Sequence, residues 1–209
     1  MTPAYPGIER RVTEKLTDPI AIFEQAFARA KTVDRALLPD PTAMSLATVG
    51  EDGSPSLRIV LLKSVDQTGF VFYTNLDSRK GRELRGQPRA ALCFYWAALD
   101  LQVRIEGGVE AVSPDEADEY FATRARGSQI GAWASRQSAP ITAEGDLDAR
   151  AEKYEKEFAG RDVPRPAFWS GFRVKPHRIE FWRNRENRLH DRTLYTREGE
   201  GWRVDTLYP

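Results

Sequence analysis

A chain of 209 residues is long enough for one domain with its own hydrophobic core. Its 31 Lys and Arg balance 31 Asp and Glu, so the formal net charge is zero and the basic footprint of a general nucleic-acid binder is missing. An apolar content of 41%, with 5 Trp, 7 Tyr and 10 Phe, excludes wholesale disorder. No run approaches the roughly 18 apolar residues of a membrane span. The N-terminus MTPAYPGIERR lacks the apolar stretch of a signal peptide, and the lone Cys93 allows neither an internal disulfide nor a thiolate cluster. These features point to a soluble cytoplasmic protein.

Residues 1–17 show no period and read as a flexible arm. A helix follows, capped by Asp18 with Pro19 at its first position and Ile22, Phe23, Ala26, Phe27 and Ala30 as its apolar stripe. From Ala43 the period changes to that of strands. AMSLATV, the turn-like EDGSP, SLRIVLLKSV, GFVFYTN, RAALCFYW and LQVRIEGGVEAV are apolar, β-branched and aromatic runs punctuated by Gly, Asp and Pro. SRKGRELRG interrupts them as a short helix with a basic first turn, which the helix dipole disfavours unless an anion lies there. Ser113-Pro-Asp-Glu116 is a capping box that starts a helix through Tyr120 towards Arg124. Residues 144–159 form another helix, with Leu147, Ala151, Tyr154 and Phe158 on one face. GFRVKPHRIEFWRN, RTLYTRE and WRVDTLY return to strands, with His177 in a surface turn after Lys175-Pro176. The pattern is α+β, an antiparallel sheet that curls into a barrel with flanking helices.

Nucleotide-binding glycine loops, zinc spacings and the G-x-S-x-G elbow are all missing, so hydrolase and metal chemistry have no foothold. Four clusters of cations with hydroxyls or amides remain. Arg58 and Lys63 are five apart, so on a regular strand they face opposite ways, as two surface cations bracketing a buried run would. Ser78-Arg79-Lys80 opens the basic helix. It reads equally as a solvated turn. Tyr120 and Arg124 share a helix face, with Ser128 in the loop beyond; together they suit a phosphate monoester, though a Tyr–Arg pair alone is commonly plain packing. On a strand, Arg188, His190 and Arg192 would share a face and expect an anion or a polar ligand.

In order along the chain, these clusters resemble the pyridoxine (pyridoxamine) 5′-phosphate oxidase family. The matching stretches are Asp40-Pro-Thr-Ala-Met44, Arg58-Ile-Val-Leu-Leu-Lys63, Phe72-Tyr-Thr-Asn75, Ser78-Arg-Lys80, Ser128-Gln-Ile-Gly-Ala-Trp133, Arg136-Gln-Ser138, Phe168-Trp-Ser-Gly-Phe-Arg173, Glu180-Phe-Trp182 and Arg188-Leu-His-Asp-Arg192. The resemblance spans residues 18–209 and implies one FMN-binding split β-barrel domain, antiparallel and Greek-key-like, acting as a homodimer with FMN at the subunit interface. It assigns FMN contacts to Arg58, Ile59, Val60, Leu61, Lys63, Tyr73, Thr74, Arg79, Lys80, Gln102, Gln137, Ser138, Trp182 and Arg192. Lys63, Tyr120, Arg124 and Ser128 would grip the substrate phosphate. Arg188 and His190 would lie over the pyridine ring as catalytic residues, with Asp40 nearby. The implied reaction is oxidation of pyridoxine 5′-phosphate and pyridoxamine 5′-phosphate to pyridoxal 5′-phosphate by dioxygen, releasing hydrogen peroxide, and ammonia from the amine. It calls for no metal, nucleic acid or membrane. The alternatives are a phenazine-pathway oxidase of the same fold and a non-catalytic flavin or pyridoxal-phosphate carrier.

Overall fold

The computed structural model describes residues 18–209, and the arm expected at 1–17 lies outside the described residues. Helix α1 (Pro19–Lys31) begins as its sequence requires: the Asp18 carboxylate accepts the Ile20 amide at 2.9 Å, and Arg29 and Lys31 occupy the last turn. Its buried face is Ile20, Phe23, Ala26, Phe27 and Ala30, so Ile20 rather than Ile22 leads the stripe.

The sheet strands are β1 (Ala43–Val49), β2 (Pro55–Leu61), β3 (Ser64–Asp66), β4 (Gly69–Asn75), β5 (Arg89–Trp96), β6 (Leu101–Ala111), β7 (Trp169–Arg183), β8 (Asp191–Glu198) and β9 (Gly201–Leu207). All pairings are antiparallel, in the order β2-β1-β5-β6-β7-β4-β3, with β8 on β7 and β9 on β8. The 15-residue β7 organises this sheet. One edge pairs with β6 throughout; the other holds β4 at its N-terminal half and β8 at its C-terminal half. The result is the curled, split sheet that the strand runs foretell.

Helices α2 (Arg79–Gly86), α3 (Pro114–Thr123), α4 (Arg126–Ala134) and α5 (Asp146–Glu157) flank it. Phe23 of α1 is fully buried against Phe70, Phe94 and Trp96, at ring separations of 4.9, 5.0 and 5.7 Å. A second cluster of Phe121, Ile130, Phe158, Val163 and Trp169 ties the C-terminal helices to the start of β7. Among the described residues no helix is long and apolar enough to cross a membrane.

Several expectations are corrected. SLRIVLLKSV is two strands, broken at Leu62-Lys63, so Arg58 and Lys63 do not share a regular strand. Leu57, Ile59 and Leu61 are exposed, because β2 pairs only with β1 and turns alternate residues outward. Ser128 lies in α4 rather than in a loop, and Leu147 is exposed on α5. Lys175-Pro176-His177 stays within β7. Proline is tolerated there because β7 is irregular at this point, with His177 left unpaired between Pro176 and Arg178, and a Cβ on the facing Gly107 would stand 2.2 Å from the Lys175 carbonyl. Arg188 and His190 precede β8 instead of lying in it, so the shared strand face is not formed.

The packing of Phe23 yields a direct test. Phe23→Ala should lower unfolding free energy by about 3–5 kcal/mol in denaturant titrations, with an unchanged dependence on denaturant concentration.

Candidate functional site

A concavity of about 680 Å³ opens beside β2 and is walled by β4, α3, α4 and the start of β7. Aromatic packing makes its floor. The rings of Tyr73 and Tyr120 stack at 4.0 Å, and Tyr73 stacks on Trp169 at 5.3 Å. Burial, reinforced by the charge of Glu116 and by Tyr120, pushes the Tyr73 phenol up to about 12, so it stays protonated at neutral pH.

Over this floor lies Arg124, its guanidinium carbon 4.7 Å from the Trp169 ring centre. The helix ends just before it, at Thr123, which turns its side chain back over the aromatics. Burial pulls its pKa below the usual arginine value, while Tyr120 opposes that shift. Its Nη1 is buried and, among the described residues, has no hydrogen-bond partner. An unpaired buried donor costs about 1–3 kcal/mol, and more when charged. Lys63, Tyr120 and Ser128 line the same cavity. Four donors thus line one space in which, among the described residues, Arg124 Nη1 finds no acceptor, an arrangement suited to an anion.

A second cationic group adjoins it. Lys80 Nζ donates to Gln137 Oε1 at 3.0 Å and to Thr74 Oγ1 at 3.3 Å. Burial and the nearby Arg58 lower its pKa, and Glu83 partly offsets this. Arg58 and Arg79 both bind Glu83, through Nη2 at 3.2 Å and Nε at 2.8 Å. Burial resists ionisation of Glu83, yet hydrogen bonds from Ser56, Thr48 and Arg79 and the charge of Arg58 hold its carboxyl at about 2. Ser138 accepts the Arg79 backbone amide at 3.2 Å and has a φ of 73°, a left-handed conformation that costs a non-glycine residue about 1–3 kcal/mol.

The remaining residues singled out from sequence lie elsewhere. Gln102, Trp182 and Arg192 are direct neighbours across β6, β7 and β8. Arg192 Nε donates to the buried Glu180 at 2.7 Å, which raises its pKa. Trp182 packs on the His190 ring at 4.5 Å, and His190 Nδ1 accepts the Arg185 amide at 3.3 Å, leaving the proton of the neutral ring on Nε2. Arg188 is exposed, on a turn where it and Asn187 have φ of 59° and 56°. Asp40 lines neither group. Its Oδ1 accepts from the Thr42 amide and hydroxyl at 2.9 and 2.6 Å, closing its own turn.

One chain therefore holds two separated groups. Thr74 pairs with Ser170 at one end of β7, and Trp182 lies 12 residues further along, roughly 40 Å of strand contour. Around the sheet, β7 is also four strands from β2. The structure brings together Ile59, Val60, Leu61, Lys63, Tyr73, Thr74, Lys80, Tyr120, Arg124, Ser128 and Gln137. It sets Gln102, Trp182, Arg188, His190 and Arg192 apart from them. Sequence reasoning assigned no role to Trp169, Glu83 or Glu180. Glu83 stands four after Arg79 on one helix, a spacing that places its carboxylate beside that arginine, whereas Glu180 meets Arg104 and Arg192 only through strand pairing.

Two family profiles match the chain: Pyridoxamine 5′-phosphate oxidase over residues 31–183, and Pyridoxine 5′-phosphate oxidase C-terminal dimerisation region over 169–209. A pyridoxine/pyridoxamine 5′-phosphate oxidase of Myxococcus xanthus is 59% identical over 92% of this chain and 92% of its own. A pyridoxine/pyridoxamine 5′-phosphate oxidase of Sphingopyxis alaskensis is 52% identical over 97% of this chain and 93% of its own. Among solved structures, PhzG from Burkholderia lata 383, in complex with tetrahydrophenazine-1-carboxylic acid, superposes with a TM-score of 0.87 at 32% identity, covering 94% of this chain and 95% of its own.

The unpaired Arg124 implies a stability cost borne for binding. Arg124→Met keeps the contact with Trp169 and removes the orphaned charge. It should leave the thermal midpoint unchanged or raised by a few degrees, as read by differential scanning calorimetry; a fall of more than about 5 °C would show that the guanidinium is structural.

Proposed function

Because the chain belongs to the pyridoxine/pyridoxamine 5′-phosphate oxidase family, we propose that it oxidises pyridoxine 5′-phosphate and pyridoxamine 5′-phosphate to pyridoxal 5′-phosphate with FMN as its cofactor. The observation that carries this reading is Arg124: a partly buried guanidinium whose Nη1 is buried without a partner among the described residues, in a cavity shared with Lys63, Tyr120 and Ser128. That donor set fits a phosphate monoester on the substrate. A neutral aromatic substrate would leave Arg124 unsatisfied.

FMN fits the adjoining group. Its phosphate calls for cations, and Arg58, Arg79 and Lys80 supply three positive charges against the single carboxylate of Glu83. Thr74, Gln137 and Ser138 are hydrogen-bonding groups beside them. Ile59, Val60 and Leu61 offer backbone and apolar surface along the cavity edge. When bound, FMN supplies the two-electron acceptor, which dioxygen regenerates with release of hydrogen peroxide.

The chain's own residues hold and orient the substrate. Lys63, Tyr120, Arg124 and Ser128 fix its phosphate and so set the position of its ring. Arg188 and His190 cover that ring and assist loss of the proton from the substrate's oxygen or nitrogen. His190 is oriented for this by its Nδ1 contact and by the face of Trp182. With the amine substrate, water completes the conversion and ammonia leaves.

The site is assembled from two chains. Trp182, Gln102, Arg192, Arg188 and His190 of one protomer complete the cavity of the other, since no single chain brings both groups together. The match of residues 169–209 to a dimerisation region supports this. So do the exposed Leu57, Ile59 and Tyr95, at 68%, 63% and 63%, on a sheet face that a second copy would cover.

The decisive experiment is an anaerobic titration of the FMN-loaded protein with pyridoxine 5′-phosphate. The flavin absorbance should bleach and return on admitting air, with pyridoxal 5′-phosphate formed. A band that stays oxidised would point instead to an oxidase of another aromatic compound. In steady state, Arg124→Met should raise KM for pyridoxine 5′-phosphate by about tenfold or more with little change in kcat, because a phosphate grip held throughout the reaction is uniform binding.

A further inference from the structure

The network behind Lys80 contains a residue with no expected role. Glu83 lies on α2, one turn beyond Arg79, with its side chain 8% exposed. Four donors converge on its carboxylate. Oε2 accepts the Thr48 hydroxyl at 2.5 Å, the Ser56 hydroxyl at 2.6 Å and Arg58 Nη2 at 3.2 Å; Oε1 accepts Arg79 Nε at 2.8 Å. Arg58 is held further by the Leu46 carbonyl and by the same two hydroxyls.

An anion in this position looks wrong for a phosphate site. By charge alone, removing it would strengthen binding of another anion. Its geometry explains its presence. Arg58 and Arg79 come from a strand and a helix far apart in sequence, and two guanidiniums side by side repel each other. The shared carboxylate neutralises one charge and fixes both side chains. Arg79 is engaged through Nε, which leaves its two terminal nitrogens without an acceptor among the described residues and so available as a fork.

We propose that Glu83 is a positioning residue for cofactor binding: its buried carboxylate aims Arg58 and Arg79 together at one phosphate. The inference rests on the assignment of those two arginines to the FMN phosphate.

Dissociation constants for FMN and for riboflavin, which lacks the phosphate, test it. They are measured by flavin fluorescence on the flavin-free protein and on E83Q. Arg58 and Arg79 donate to different oxygens of the carboxylate, and glutamine turns one of these into an NH2 donor, so one guanidinium loses its anchor. E83Q should weaken FMN binding roughly tenfold or more, the scale of one lost charge-assisted hydrogen bond, and leave riboflavin binding unchanged. Unchanged or tighter FMN binding by folded E83Q would overturn the proposal, since that is the outcome of charge removal alone. An equal loss for FMN and riboflavin would also overturn it, as a general structural defect. If E83Q does not fold, S56A decides: it removes one hydroxyl that seats the carboxylate and should weaken FMN selectively to a smaller degree, and no selective loss would overturn the proposal. R58A and R79A separate the underlying assignment. If they keep the preference for FMN over riboflavin, the phosphate site itself is misplaced and the proposal falls with it.

Discussion

The alternation of side chains along a strand governs the whole arrangement. Each strand gives one face to the core and the other to the outside, and along the 15 residues of β7 this alternation shifts phase once, at the irregularity by His177. Phe172, Val174, Ile179 and Phe181 fill the interior, while Glu180 and Trp182 look the other way and meet Arg192, Gln102 and Arg104. Because β4 and β8 share one edge of β7 at opposite ends, the residues around Thr74 and those around Trp182 are held apart by a rigid strand. A pocket with basic walls lies at one end and an aromatic platform at the other. No side-chain rotation within one chain brings these ends together, which is why the proposed site draws on two symmetry-related chains.

Electrostatics explains how a chain of zero net charge builds the two cationic groups that the proposed function assigns to phosphates. The first is left unsatisfied: Arg124 is half-buried over Trp169, with its buried Nη1 lacking an acceptor among the described residues. The second is held in advance by a counter-charge, Glu83, whose carboxyl remains ionised down to about pH 2. Glu180 repeats the device on the far side of the sheet, bridging Arg104 at 3.2 Å and Arg192 at 2.7 Å. Preorganised donors of this kind bind anions without reorganising on contact, and their cost is met by packing elsewhere.

Much of this was legible in the residues. The cap at Asp18, the box at Ser113 and the punctuated apolar runs located α1, α3 and nearly every strand, because those signals are local. The odd basic first turn of α2 called for a nearby anion or a solvated turn, and in the structure Arg79 is paired with Glu83 while Lys80 donates to Thr74 and Gln137. Long-range effects were not legible. The break at Leu62-Lys63 depends on pairings of β2 and β3 with different strands, and Pro176 stays in β7 beside an irregularity at His177 that only the register against β6 reveals. The helical state of Ser128 and the left-handed turn at Asn187-Arg188 likewise carry no simple sequence mark. Nor does spacing reveal that Asp40 spends its carboxylate on its own turn, or that Arg58 and Arg79 share one glutamate.

The central claim, that each site draws on two chains, is tested most directly by mixing two impaired variants. Arg124→Met alters the cavity group and Arg188→Ala the group beyond β7. After subunit exchange, half of the dimers are hybrids in which one site carries both substitutions and the other carries none. Assayed at pyridoxine 5′-phosphate well below KM, the mixture should recover about a quarter of wild-type activity, the statistical share of intact sites. Activity that never exceeds the mean of the two parents, with exchange confirmed by mass spectrometry, would show that both groups serve the same site within one chain and would contradict the account.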